Sequence, residues 1–156
     1  MNKITFYDHL CSQLSALLDN EHDIIANMAN TSALLYESLS DINWVGFYRN
    51  IDQRLLLGPF QGKTACFTIP YDKGVCGACI TKKRVIRVDD VKQFPTHIVC
   101  DCASLSEIVL PVFHRHKIIA VLDIDAPILC RFDADDEKGL MNVVNIFEHS
   151  INKKEN

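Results

Sequence analysis

Seven cysteines stand in the 156-residue chain, and five of them, Cys66, Cys76, Cys79, Cys100 and Cys102, crowd its middle third. Thiols gathered in this way do one of three things. They pack as small buried hydrophobes, which is the reading for the isolated Cys11 and Cys130. They hold a metal: Cys76-Gly-Ala-Cys79 has the C-x-x-C spacing of a zinc knuckle, and Cys100-Asp-Cys102 offers a second, tighter half. Or they carry redox chemistry, in which a low-pKa thiolate attacks an electrophile and a neighbouring thiol closes a disulfide. Cys76 opens a short predicted helix whose first amide N–H groups favour a thiolate. Cys100 and Cys102 lie in a polar loop beside His97 and Asp101.

Carboxylates form the second cluster. Strand alternation puts Asp123 and Asp125 of Val-Leu-Asp-Ile-Asp on one face of an otherwise apolar run. Neighbouring buried carboxylates repel, so one holds its proton near neutral pH unless a cation arrives. Glu107 begins the preceding strand, and a tight hairpin centred on Arg115 to Lys117 brings it near the pair. Such a group serves as an acid, an amine receptor or both; it serves equally to cap the turn that follows. In Asn43-Trp-Val-Gly-Phe-Tyr48, alternation sets Trp44, Gly46 and Tyr48 on one face and Val45 and Phe47 on the other. Two aromatics flanking a glycine make a slot for a methyl or sulfur group, or else part of a core. His97 reads as a solvated loop residue, and His114 and His116 as surface residues at the hairpin turn.

The elements that must position these groups follow from periodicity. Phe6, Leu10, Leu14 and Leu17/Leu18, then Ile24/Ile25, Met28, Ser32, Leu35 and Leu39, mark two amphipathic helices. Three β-rich runs follow, NWVGFYR, RLLLGPF and TACFTIP, separated by turn-forming NIDQ and PFQGK. GVCGACITKK reads as a short helix entered through Gly74, VIRVDD as a brief strand, and residues 91–106 as a long irregular crossing. The hairpin SEIVLPVFHR and KIIAVLDID precedes a closing helix whose stripe is Leu140, Val143/Val144, Phe147 and Ile151 and whose first turn carries Asp133, Asp135, Asp136 and Glu137. The sum is one α+β domain over residues 1–156, an antiparallel sheet flanked by helices.

Composition narrows the partners. With 48% hydrophobic and 23% charged residues the chain is neither disordered nor fibrous. No apolar run approaches the ~20 residues a bilayer demands, and a net charge of −4 disfavours nucleic acid and anionic membrane surfaces. The odd cysteine count and the absence of a signal-like apolar stretch point to the cytoplasm and to reduced thiols, with no disulfide staple needed. The natural partner is a small molecule.

Read together, MANTSALLYESL, DINWVGFY, LGPFQGKTAC, GVCGACI, HIVCDCAS, SEIVLP, IIAVLDID and RFDADDEKGL span nearly the whole chain. They resemble the free methionine-(R)-sulfoxide reductases, a branch of the GAF-domain superfamily. The resemblance implies a GAF-like fold and reduction of free L-methionine (R)-S-oxide. It also implies Cys100 as the nucleophile at the sulfoxide sulfur, Cys66 and/or Cys76 as the resolving thiol, and thioredoxin as the external reductant, with no bound cofactor or metal. Trp44 and Tyr48 would surround the methyl sulfoxide, and Glu107, Asp123 and Asp125 would receive the ammonium group and the sulfoxide oxygen, with Asp125 as the acid. The resemblance, together with the leading helices read as exposed, also implies a homodimer. Cys79 and Cys102 depart from the family pattern, in which a small or aliphatic residue stands at the first position and Ala at the second.

Two other readings compete: a non-catalytic GAF sensor acting through a separate output protein, and a zinc-stabilised binding protein using Cys76, Cys79, Cys100 and Cys102.

Overall fold

The computed structural model describes residues 1–98 and 103–152. Helix α1 spans Lys3–Leu17 and α2 spans Ile24–Ser38; strands β1 (Trp44–Ile51), β2 (Arg54–Gly62) and β3 (Thr68–Ile69) follow. Then come α3 (Gly74–Lys82), β4 (Ile86–Val88), a 3₁₀ turn at Val91–Gln93, β5 (Ser106–His114), β6 (Lys117–Ala126) and α4 (Ala134–Asn152). The strands form an antiparallel sheet in the order β3-β2-β1-β6-β5-β4.

Each long helix begins at a polar cap that satisfies an otherwise orphaned N–H. The Asn2 side chain accepts from the Thr5 amide, and that of Asp23 from the Ala26 amide. Helices α2 and α4 cover one sheet face and α1 packs on them, and Leu10, Leu14, Met28, Leu35, Val45, Phe47, Ile108, Leu110, Leu122, Ile124, Leu140 and Phe147 form the main core. Helix α3 packs on the opposite face over a smaller apolar cluster that includes Trp44, Tyr48, Cys76, Cys79, Val109 and Val121. The sheet is thus buried on both sides, and the second side is where polar groups intrude.

The stripe on α1 is shifted from the one the sequence suggests. Tyr7, Leu10, Leu14 and Leu18 are buried while Leu17 is half exposed, because the Tyr7 hydroxyl reaches the buried Asp136 carboxylate at 2.9 Å. On α2, Ile25 is likewise exposed.

Two of the expected turns and strands also change. PFQGK does not break the chain: β2 runs through it to Gly62. Gly46 pairs with Phe60 and Tyr48 with Leu57, so Gly58 and Pro59 bulge opposite Phe47. A bulge accommodates a proline, which cannot donate to a ladder. Conversely, TACFTIP keeps only Thr68–Ile69 as strand. Carbonyls at and just before its start are taken by side chains instead: Lys63 O accepts from Trp44 Nε1 at 3.1 Å and Cys66 O from the Tyr48 hydroxyl at 3.0 Å. Cys130, read as a buried hydrophobe, is exposed in a left-handed turn with φ of 53°.

Candidate active site

Three adjacent strands present one continuous face beneath α3. In the β1–β6 ladder Trp44 pairs with Asp125, Gly46 with Asp123 and Tyr48 with Val121. In the β5–β6 ladder Glu107 pairs with Asp125 and Val109 with Asp123. Cross-strand partners share a face, so Trp44, Tyr48, Glu107, Asp123 and Asp125 converge by register alone. They line a pocket together with Cys76, His97, Ile98, Thr64 and Ser104.

The aromatic wall is rigid. Trp44 stacks on Phe60 with ring centroids 5.2 Å apart and on Tyr48 at 5.8 Å. Gly46 lets Trp44 and Phe60 close together, because a Cβ there would lie 2.3 Å from Phe60 Cβ and 2.8 Å from the Trp44 ring. Trp44 and Tyr48 are both buried, and their polar ends tie down the 63–66 segment through the two hydrogen bonds described above.

The acidic floor is a buried cluster. Glu107 and Asp123 are buried and Asp125 is half-buried. Burial, reinforced by the charges of Asp123 and Asp125, pushes the Glu107 carboxyl well above the usual carboxylate range. Burial also raises Asp123, but hydrogen bonds from Glu107, Cys76 and Asp125 pull it partly back. Of the two, Glu107 is the carboxyl held more strongly toward its protonated form. Asp123 Oδ1 is buried without a hydrogen-bond partner.

Cys76 does not behave as its place at a helix start suggests. Burial, followed by the Asp123, Glu107 and Asp125 charges, raises its thiol well above the ordinary cysteine value. A helix terminus contributes less than complete desolvation beside carboxylates removes, so Cys76 is a protonated thiol pointing at the acids. Cys79, one turn further along α3, is also buried, and its pKa is pushed up to about 12 by that burial. Cys66 is disulfide-bonded, whereas Cys11, Cys76, Cys79 and Cys130 are free thiols. The reading of every thiol as reduced therefore fails at Cys66. Cys100 and Cys102 lie outside the described residues.

Sequence reasoning missed His97, Ser104 and Thr64 as pocket-lining residues. His97 is half-buried, held by its amide donating to Phe94 O at 3.1 Å, and the neighbouring Thr96 O accepts from Gly74 N at 2.7 Å. That last bond fastens the loop to the start of α3. The signal was the unusual length of the loop, which marks function but not which residues turn inward.

A small-molecule pocket on one face of an antiparallel sheet, roofed by a short helix, defines the class: the GAF-domain profile matches residues 6–151. The chain is 52% identical over 144 residues to the free methionine-R-sulfoxide reductase of Escherichia coli, covering 92% of this chain and 87% of that protein. The substrate complex of the Staphylococcus aureus enzyme fRMsr superposes with a TM-score of 0.90 at 50% identity, over 93% of this chain and 95% of that one. The Neisseria meningitidis free methionine-R-sulfoxide reductase, also solved with its substrate, gives 0.92 at 39% identity over 97% and 91%. The chain belongs to the free methionine-R-sulfoxide reductase family, whose members are oxidoreductases.

Proposed function

We propose that this protein reduces free L-methionine (R)-S-oxide to L-methionine in the pocket walled by Trp44 and Tyr48. The observation that carries this reading is the buried, unpartnered Asp123 Oδ1 in a pocket walled by the stacked Trp44 and Tyr48 rings, which suit a methyl sulfoxide; burial holds the neighbouring Glu107 carboxyl toward its protonated form. The ammonium of a free amino acid fills the Asp123 and Asp125 acceptors. A methionine sulfoxide within a polypeptide lacks that group and would leave the buried Asp123 Oδ1 without a donor, at a cost of about 1–3 kcal/mol.

The chemistry follows from the groups. Cys100, as thiolate, attacks the sulfoxide sulfur while an acid protonates its oxygen, a poor leaving group until then. Methionine departs and Cys100 is left as a sulfenic acid. A second thiol displaces its oxygen as water, forming a disulfide, and an external dithiol, for which thioredoxin is our choice, returns both thiols. The sum is one sulfoxide and two thiols converted to one sulfide, one disulfide and water.

Cys66 is the preferred resolver. It is disulfide-bonded to none of the free thiols Cys11, Cys76, Cys79 or Cys130, and its carbonyl is hydrogen-bonded to the slot residue Tyr48. Cys76, desolvated and beside acids, is the slower alternative. Glu107 is the best-placed store of the reaction's proton, with Asp125 as its partner across the ladder. Exposed Ile4 and Leu17 on α1 support a homodimer, and dependence on an external dithiol supports work in the cytoplasm. No helix among the described residues is long and apolar enough to cross a membrane.

An NADPH-coupled thioredoxin assay with free L-methionine (R)-S-oxide, its S epimer and the N-acetylated R compound tests the proposal. Turnover confined to the free R epimer is the expected result. No turnover on any of them with verified reduced thiols would transfer the pocket to the sensor reading.

A further inference from the structure

Cys76, Glu107 and Asp123 come from the first turn of α3, the start of β5 and the middle of β6, yet one ligand atom of each lies within 4.8 Å of the other two. All three side chains are buried. Asp123 lines the pocket, and its buried Oδ1 has no hydrogen-bond partner. A buried acceptor left open in this way marks a place where a ligand atom is missing. An ammonium group satisfies the carboxylates, but it has no use for the sulfur that completes the ring.

A cation with affinity for both sulfur and oxygen uses all three. One thiolate and two carboxylates make a borderline-soft donor set, suited to Zn²⁺ and unlike the all-oxygen cages of Ca²⁺ and Mg²⁺. Three protein ligands with the pocket on the fourth side give the open coordination of a site that keeps one exchangeable position. We propose that Cys76, Glu107 and Asp123 form a binding site for a single Zn²⁺-type divalent cation. This proposal is separate from the reductase reading and does not depend on it.

Proton balance is simple. The resting site holds protons on the Cys76 sulfur and the Glu107 carboxyl; the dication displaces them to solvent and takes their place. The site differs from the zinc knuckle that the C-x-x-C spacing suggests, because Cys79 is not among the converging ligand atoms. Its side chain lies in the apolar cluster under α3. A cation held by Glu107 and Asp123 denies the pocket floor to any ammonium-bearing ligand.

The test is titration of the full chain, in its disulfide form, with Co²⁺ alone, followed by the thiolate-to-cobalt charge-transfer absorption and then by displacement with Zn²⁺. One equivalent should produce the band and Zn²⁺ should abolish it. Cys76→Ser should remove the band, and Glu107→Gln and Asp123→Asn should each weaken Co²⁺ binding about 10- to 100-fold, the loss usual for disturbing a metal site. Cys79→Ala should retain it. No band, a band that survives Cys76→Ser, or unchanged affinity in both carboxylate variants would overturn the proposal, as would loss in Cys79→Ala with the carboxylate variants unaffected. Thermal unfolding of each variant establishes that it is folded, and the two isosteric carboxylate changes decide the matter if Cys76→Ser is not.

Discussion

Glu107 faces Asp125 across the β5–β6 ladder because Ile119 is an extra residue in β6. Phe113 pairs with Ile118, but Val112 pairs with Ala120. A regular ladder grown from the left-handed Arg115–His116 turn would instead set Glu107 opposite Ile124, a residue of the main core. Since the side-chain period of a strand is two, that slip would aim Glu107 at the wrong face. The bulge re-aims it into the pocket, the common use of such irregularities beside functional sites.

The proton held by Glu107 gives a pH-dependent stability of defined sign. Its folded pKa lies above the ordinary 4.5. Stabilisation is therefore complete in acid, below the unfolded value, and is lost as pH rises toward the folded pKa. Within that window the loss runs at about 1.4 kcal/mol per pH unit. Glu107→Gln has no proton to lose. Thermal unfolding between about pH 4 and about pH 8 should show the variant gaining on the wild type as pH rises, while its turnover falls by at least about tenfold. Parallel stability curves, or undiminished turnover, would remove Glu107 from this role.

Gly46 is a position where a single methyl should damage the slot without touching a polar group. A Cβ would sit 2.3 Å from Phe60 Cβ and 2.8 Å from both the Phe60 Cα and the Trp44 ring, so the Trp44–Phe60 stack must shift. Gly46→Ala should cost about 1–3 kcal/mol of stability, the range for overpacking a filled site, and should raise KM about tenfold or more. Equal KM in the two proteins would mean that Trp44 does not shape the binding site.

The Tyr48 hydroxyl links the slot to the disulfide-bonded Cys66 by one hydrogen bond, to its carbonyl. Tyr48→Phe keeps the ring and removes the bond, worth about 0.5–1.5 kcal/mol. Disulfide formation in a single turnover, read by thiol titration after quenching, should slow roughly two- to tenfold, while the first release of methionine is little changed. A slowed methionine burst with normal disulfide formation would place the hydroxyl in the first chemical step instead.

The site was legible from sequence where it depends on period-two alternation within one strand. Trp44 with Tyr48, and Asp123 with Asp125, share a face as alternation requires. The meeting of Glu107 with that face was legible only through the hairpin, and its register rests on a bulge that no local signal in Phe113 to Ala120 announces. The raised pKa of Cys76 was illegible, because it depends first on burial under the folded α3 and then on carboxylates more than 30 residues distant in the chain. The same holds for β2 and β3: turn residues Pro59 and Gly62 were absorbed into a bulged strand, while a strand-like run gave its carbonyls to Trp44 and Tyr48. Local propensity was overridden in both cases by tertiary hydrogen bonding.

The α1–α4 contact separates stability from activity. Asp136 is buried and accepts from the Tyr7 hydroxyl, Lys3 Nζ, Arg131 and the Asp133 amide. Lys3 also pairs with exposed Asp133 and, by that hydrogen bond first, draws its pKa down to about 2. Tyr7→Phe removes one hydrogen bond to a charged group but leaves the others, a loss of about 1.5–3 kcal/mol and a Tm lower by roughly 3–12 °C. Gly139→Ala should be worse, since its Cβ would lie 2.1 Å from the Tyr7 ring, far inside contact distance. Both changes act on the sheet face opposite the pocket, so kcat and KM at a temperature where the variants are folded should match the wild type. A raised KM in Tyr7→Phe with only a small drop in Tm would mean that the two faces of the sheet are coupled, and that the helical layer helps to set the pocket's geometry.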